Sequence, residues 1–188
     1  MAEERIRSFI GIFPPHEITE QIFSVQSQLK DIAPHAKWEQ QQKFHITIQF
    51  LGDKATYWLN DLYKVLVASI GSQSFIIRLS KIGCFPNRYS PKIFWIGSER
   101  EENPELVDCA ESVAKMSAGL GHEPEIKPFH PHITVGRAKG KISSLLIHNL
   151  ETVTFHPLEF QCSELRIMKS VLARSGSNYS TLFNIPLK

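Results

Sequence analysis

At 188 residues, with 42% hydrophobic residues and a mean hydropathy of −0.16, the chain has the length of one domain over residues 1–188, able to bury a core without staples. Its net charge of +2 permits a polyanionic partner but does not argue for one, because a domain that coats nucleic acid by charge alone shows a basic stripe. The three cysteines, Cys84, Cys109 and Cys162, are odd in number, widely spaced and lack a C-x-x-C, so they suggest neither a disulfide framework nor a zinc site, and reduced, buried thiols are the default. From the N-terminus, Arg5 to Phe13 mixes polar and apolar residues, is rich in Ile and Phe, and reads as a core strand ended by Pro14-Pro15. That run is too short for a signal segment or a membrane span, so a cytoplasmic protein with no membrane partner is expected, most simply a monomer. Ile18, Ile22, Phe23, Val25 and Leu29 then recur at helical spacing from His16 to about Ile32, and Pro34 closes the segment.

The stretch AKWEQQQ, with Trp38 as core or groove wall, leads into a strand from Lys43 that a turn at Gly52-Asp53 should terminate. Leu59, Leu62, Val65, Leu66 and Ile70 mark a second helix ending near Gly71. Phe75 to Ile82 and Lys92 to Gly97 read as an antiparallel, hairpin-like pair of strands across a turn at Gly83 to Asn87. Pro104 opens a third helix whose buried face carries Leu106, Val107, Ala110, Val113, Ala114 and Met116, and which Gly119 to Gly121 stops. A strand from Lys127 to Arg137 follows. Pro128 and Pro131 make its entry rigid and argue for an edge position. Ile142 to Leu146 is an ambiguous helix, and Thr152 to Leu187 is strand-like in three pieces. Helices mixed with antiparallel strands make an α+β plan.

Two of these strands share a tripeptide, His45-Ile46-Thr47 and His132-Ile133-Thr134, 87 residues apart (45 to 132). Side chains alternate along a strand, so each His and its Thr face one way while Ile46 and Ile48, or Ile133 and Val135, face the other. On a helix, residues two apart diverge by roughly 200° and could not serve one ligand. A single His-x-Thr carries little information, since most strand histidines are surface or structural. Its repetition with matched apolar parity, at a separation too long for a solenoid repeat, points to two similar lobes whose polar faces line one groove. Such a groove suits acid–base chemistry on a bound anion.

HITIQFLG and PHITVGR resemble the paired signatures of the two-histidine (2H) phosphoesterases, specifically the RNA 2′,3′-cyclic phosphodiesterase or 2′-5′ RNA ligase (LigT-like) branch. The opening RSFIGIFPP, Trp38 ahead of the first motif, and a closing stretch with Ser170, Leu172, Gly176 and Tyr179 are similar to that family in the same order. Val135-Gly136 stands where Leu-Ala is common in the family. The resemblance implies two pseudo-symmetric lobes of antiparallel sheet, helices outside, facing a central cleft. It also implies metal-independent opening of 2′,3′-cyclic phosphate RNA ends to 2′-phosphate, reversible 2′-5′ ligation, no cofactor, and His45 as general acid with His132 as general base. Strand parity alone leaves that last assignment open.

Imidazole titrates near pH 6.5, so one histidine can be neutral while its partner is charged. Thr47 and Thr134 can donate to non-bridging phosphate oxygens. Strict alternation puts Arg137 on the apolar face, unless a bulge at Gly136 re-aims it toward the phosphate; a solvated strand-end arginine is the alternative. His130 shares the parity of His132 but follows a loop-like entry, which suggests an exposed or supporting residue. Lys127, Lys139 and Lys141 could follow an RNA backbone or simply be solvated, and Phe44, Tyr57, Trp58 and Tyr179 could stack bases or sit in the core. Three other readings compete: a phosphodiesterase for small cyclic nucleotides, a non-catalytic RNA-end binder, and a metal-dependent hydrolase built on His45, His130 and His132. No carboxylate at ligand spacing beside either motif supports the last.

Overall fold

The computed structural model describes residues 4–70, 73–87, 89–123, 125–140, 150, 152–173 and 176–188. Ten strands and three helices alternate along them: β1 (Arg5–Ile12), α1 (His16–Ile32), β2 (Lys37–Trp38), β3 (Ile46–Ala55), α2 (Thr56–Ser69), β4 (Phe75–Leu79), β5 (Lys81–Phe85), β6 (Ile93–Gly97), α3 (Pro104–Gly119), β7 (His132–Arg137), β8 (Leu158–Cys162), β9 (Glu164–Ala173) and β10 (Gly176–Pro186). The segment Ile142 to Leu146 lies outside the described residues, as does Lys141. Among the described residues, no helix is long and apolar enough to cross a membrane.

The main sheet runs β10-β9-β1-β3-β7-β6-β5, antiparallel throughout, with β2 beside β7 and a separate β4-β8 pair. Its two halves, β10-β9-β1-β3 and β7-β6-β5, meet at a single backbone pair, Ile46 with Ile133. Both side chains are fully buried. An antiparallel pair has a local two-fold axis between its strands. Because a His precedes and a Thr follows each of these isoleucines, that axis relates His45-Ile46-Thr47 to His132-Ile133-Thr134. The two lobes expected from the repeat are thus related about one residue pair.

The helices lie where their apolar stripes direct them. Ile18, Ile22, Val25 and Leu29 bury the inner face of α1, Leu59, Leu62 and Leu66 that of α2, and Leu106, Val107, Ala110 and Val113 that of α3. α2 and α3 pack on β3, and α1 on β8. Each large aliphatic side chain fully withdrawn from water contributes about 1.5–3 kcal/mol. Asn103, buried just before Pro104, exchanges hydrogen bonds with the Arg78 backbone at 2.8 and 3.1 Å and so locks β4 to the start of α3.

Four expectations need correction. β7 is not an edge strand but lies between β3 and β6; Pro128 and Pro131 precede the ladder and cost it no hydrogen bond. The expected strand Phe75 to Ile82 breaks at Ser80, and its halves join different sheets: β4 pairs with β8, while β5 forms the hairpin with β6. Gly83 to Phe85 therefore belong to a strand rather than a turn. Gly52 does not end β3, since at φ +69° it sits within the bulged strand, which continues to Ala55.

Candidate active site

His45 stands immediately before β3 and His132 is the first residue of β7, each half-buried. In both, the ring nitrogen Nδ1 lies against the carbonyl oxygen two residues upstream, 2.6 Å from Lys43 O and 2.7 Å from His130 O. A carbonyl can only accept, so Nδ1 carries the hydrogen in both rings. The other nitrogen, Nε2, is then the one that can take or give a proton. Thr47 and Thr134 are half-buried between the buried flanks Ile46 and Ile48, and Ile133 and Val135. That is the parity the tripeptide predicts.

Aromatic rings hold each imidazole. His45 stacks on Phe13 (centroids 5.3 Å apart, 23° between planes), lies 4.8 Å from Phe9, and meets Tyr179 edge-on at 5.3 Å. His132 meets Phe85 edge-on at 5.0 Å, with Trp95 at 6.3 Å. Phe9 and Trp95 open a second pair of matching tripeptides, aromatic-Ile-Gly in both, Phe9-Ile10-Gly11 and Trp95-Ile96-Gly97, 86 residues apart (9 to 95). The sequence reading missed it, although its spacing nearly matches that of the histidines. Both glycines are space-makers: a Cβ on Gly11 would crowd the Phe9 ring at 3.1 Å and the Ile46 carbonyl at 3.2 Å, and one on Gly97 would fall 2.2 Å from the Pro131 carbonyl and 3.0 Å from His132 Cα.

Burial is the main force pushing both imidazoles below the usual histidine range. The carbonyl bond at Nδ1 opposes it in each. Around His45 the Glu39 carboxylate pushes the same way as that bond and Arg137 pushes more weakly against it, whereas around His132 the neighbouring His130, His45 and Arg137 all push further down. The same desolvation raises the Tyr179 phenol.

Arg137 reaches the cleft through a bulge. Opposite β6, Gly136 pairs with Phe94 and Thr134 with Trp95, so Val135 is the extra residue. The Val135 carbonyl is fixed by Glu39 N–H at 3.0 Å and by the Gln26 side-chain amide at 2.8 Å, and that amide also donates to Glu39 O at 2.8 Å. Beyond the bulge, the exposed Arg137 guanidinium pairs with Glu39 (Nε to Oε1, 3.3 Å), and its charge is felt by His45, His132 and Tyr179. β3 carries the same bulge at the same motif position, with Ile48 the extra residue opposite β1. The position equivalent to Arg137 is there Phe50, 60% exposed. The two equivalent positions therefore differ, cationic on β7 and aromatic on β3. Gly136 serves a second purpose: a Cβ would lie 2.5 Å from the Trp38 ring, which packs flat over the strand and onto Phe94.

Other candidates fall elsewhere. Phe44 is buried in the core. Trp58 ties α2 to the end of α3 through Nε1–H to Leu120 O, 2.7 Å, and Tyr57 is exposed on α2. Lys127 and Lys139 are exposed. His130 is neither exposed nor loose: it is half-buried against Trp95 and Phe85, at 4.8 and 5.3 Å, and its carbonyl orients His132. Among the described residues, no group of three or more His, Cys, Asp or Glu side chains converges as metal ligands would.

The LigT-like phosphoesterase family model matches residues 12–95 and again residues 96–179, one His-x-Thr motif in each match. The chain belongs to the LigT-like phosphoesterase family. Curated LigT-like relatives named RNA 2′,3′-cyclic phosphodiesterase include one from Aquifex aeolicus, 29% identical over 94% of this chain and 95% of its own, and one from Aeropyrum pernix, 30% identical over 85% and 93%. Among solved structures, E. coli LigT in complex with 3′-AMP superposes with a TM-score of 0.78 at 26% identity, covering 98% of this chain and 99% of that one. A Thermus thermophilus protein shares the LigT-like fold at a TM-score of 0.80 and 23% identity, over 97% and 98%.

Proposed function

We propose that the chain hydrolyses RNA ends carrying a 2′,3′-cyclic phosphate to 2′-phosphate ends, without a metal, through acid–base catalysis shared by His45 and His132. The observation that carries this reading is the pair of histidines related about Ile46 and Ile133, each with Nδ1 committed to a carbonyl and Nε2 left for proton transfer. The names of the relatives support the substrate class. In the reaction, His132 Nε2 takes a proton from water as its oxygen bonds to phosphorus. The P–O3′ bond breaks, and protonated His45 Nε2 gives its proton to O3′. The two transfers each supply roughly 10²–10⁴-fold. The unequal fields support this division of labour: Glu39 favours a charged His45 more than Arg137 opposes it, while every charge near His132 favours its neutral form. Thr47, Thr134 and Arg137 hold the non-bridging oxygens, and Arg137 leaves Glu39 to do so. Microscopic reversibility makes 2′-5′ joining, with a 5′-hydroxyl end in place of water, the corresponding reverse step.

The test is incubation with EDTA and an oligonucleotide ending in a 2′,3′-cyclic phosphate, followed by identification of the product end. A 2′-phosphate formed at an undiminished rate is expected. Intact substrate, or turnover that only a divalent ion restores, would contradict the reading.

A further inference from the structure

One carboxylate faces a site suited to holding an anion. Among the described residues whose charges act on His45, His132 and Tyr179, Glu39 is the single negative one, and it acts on both His45 and Tyr179. A negative charge there opposes a phosphate as surely as it attracts Arg137. The two partners of this ion pair are unequally fixed. The Glu39 backbone is tied on both sides of its Cα, with N–H donating to Val135 O at 3.0 Å and the carbonyl accepting from the Gln26 amide at 2.8 Å. Its side chain is 24% exposed, against 52% for Arg137, which ends β7. The contact between them, 3.3 Å from Nε to Oε1, engages the guanidinium nitrogen nearest the chain. When Arg137 turns to a bound phosphate, the carboxylate stays behind. It is then part-buried, short of its cation and beside a second anion, an arrangement that draws Arg137 back.

The reaction itself adds charge to the ligand. A cyclic phosphodiester carries one negative charge, whereas a phosphomonoester carries nearly two above its second pKa of about 6. Cations that hold the substrate therefore hold the product more tightly, and repulsion by a fixed carboxylate grows in the same proportion. We propose that Glu39 is a positioning residue for product release: by holding Arg137 in the empty site and reclaiming it after the reaction, its carboxylate weakens the binding of the phosphomonoester product more than that of the cyclic substrate. This rests on the phosphodiesterase reading above and deepens it. Glu39 acts through Arg137 and across space rather than on a reacting atom. One screened unit of charge at about 8 Å, in a medium between bulk water and a protein surface, separates the two ligands by about fivefold.

The experiment titrates two dinucleotides into each protein by calorimetry at low salt, well above the second pKa of the phosphate. One ends in a 2′-phosphate, the product; the other ends in a 2′-methylphosphonate, its singly charged counterpart. Opening of the cyclic-phosphate dinucleotide by the wild type is followed alongside. Relative to the methylphosphonate, Glu39→Gln should bind the phosphate about fivefold tighter than the wild type does, and Glu39→Asp, which keeps the charge, should stay close to the wild type. Each protein supplies its own reference ligand, so a general change in binding cancels. A preference in Glu39→Gln equal to that of the wild type, or one that rises as far in Glu39→Asp, overturns the release role alone. A wild-type protein that leaves the cyclic phosphate intact overturns the phosphodiesterase reading and the release role with it.

Discussion

At the level of single residues, the site is two imidazoles that are alike in their bonds and unlike in their fields. Because burial lowers both pKa values, the form with one neutral and one charged ring is most populated in the free protein at pH values below the 6.5 of an ordinary histidine. The pH profile of kcat/KM is therefore expected to be bell-shaped with its maximum below 6.5, and that of kcat to lie higher, since a bound phosphate anion favours the charged ring. Steady-state rates from pH 4.5 to 9 check this, and a flat profile with chemistry rate-limiting would refute the acid–base pair. The same shifts have a consequence for stability. With folded-state values below the unfolded one, the unfolded chain binds protons first as pH falls. The stabilisation is complete above about 6.5 and is lost as pH drops through the folded values. Denaturant midpoints should thus decline on acidification below 6.5, and a His45→Gln/His132→Gln variant should decline less. Thr47→Ala or Thr134→Ala should cost about 1.5–3 kcal/mol in kcat/KM, the worth of a hydrogen bond to a charged group.

At the level of elements, strands place the chemistry and their irregularities aim it. The His-Ile-Thr parity was legible because alternation over three residues needs no knowledge of the partner strand. The fate of Arg137 was only half legible: Gly136 signalled a bulge, but the extra residue is Val135, and its carbonyl is held from outside the strand by Gln26 of α1 and by Glu39. Such a long-range bond leaves no local pattern. Gln26→Leu should strand the Glu39 carbonyl and leave that of Val135 with one donor, cost about 1–3 kcal/mol of stability and raise KM, as Arg137→Ala should; a variant that loses stability with KM unchanged would show that the amide does not aim Arg137. The Phe9-Ile10-Gly11 and Trp95-Ile96-Gly97 repeat was readable at the same period as the histidines, yet Gly11 and Gly97 gain meaning only once the close backbone approach at each is seen. Gly97→Ala pushes a methyl into the fixed carbonyl of Pro131, so a loss of about 1–3 kcal/mol is expected in thermal or denaturant unfolding, with His132 displaced. Unchanged stability would mean that the β6-β7 contact is looser than the structure has it.

At the level of the whole molecule, two lobes share one buried isoleucine pair and present one cleft. The lobes and the α+β plan followed from the repeat and from the helix and strand periodicities. The strand order did not, because β4 and β5 are consecutive in sequence yet join different sheets, and β7 is interior despite the prolines at its entry. Sheet order is decided by which faces the helices cover, a property of no single segment. The central claim is that His45 and His132 act as one unit, and the most direct measurement is the turnover of a 2′,3′-cyclic phosphate oligonucleotide by His45→Ala, His132→Ala and the double variant, each shown to be folded by circular dichroism. Each single variant should lose roughly 10²–10⁴-fold, and the double variant should be little worse than either. A folded single variant that opens the substrate at close to the wild-type rate would place the chemistry outside this cleft.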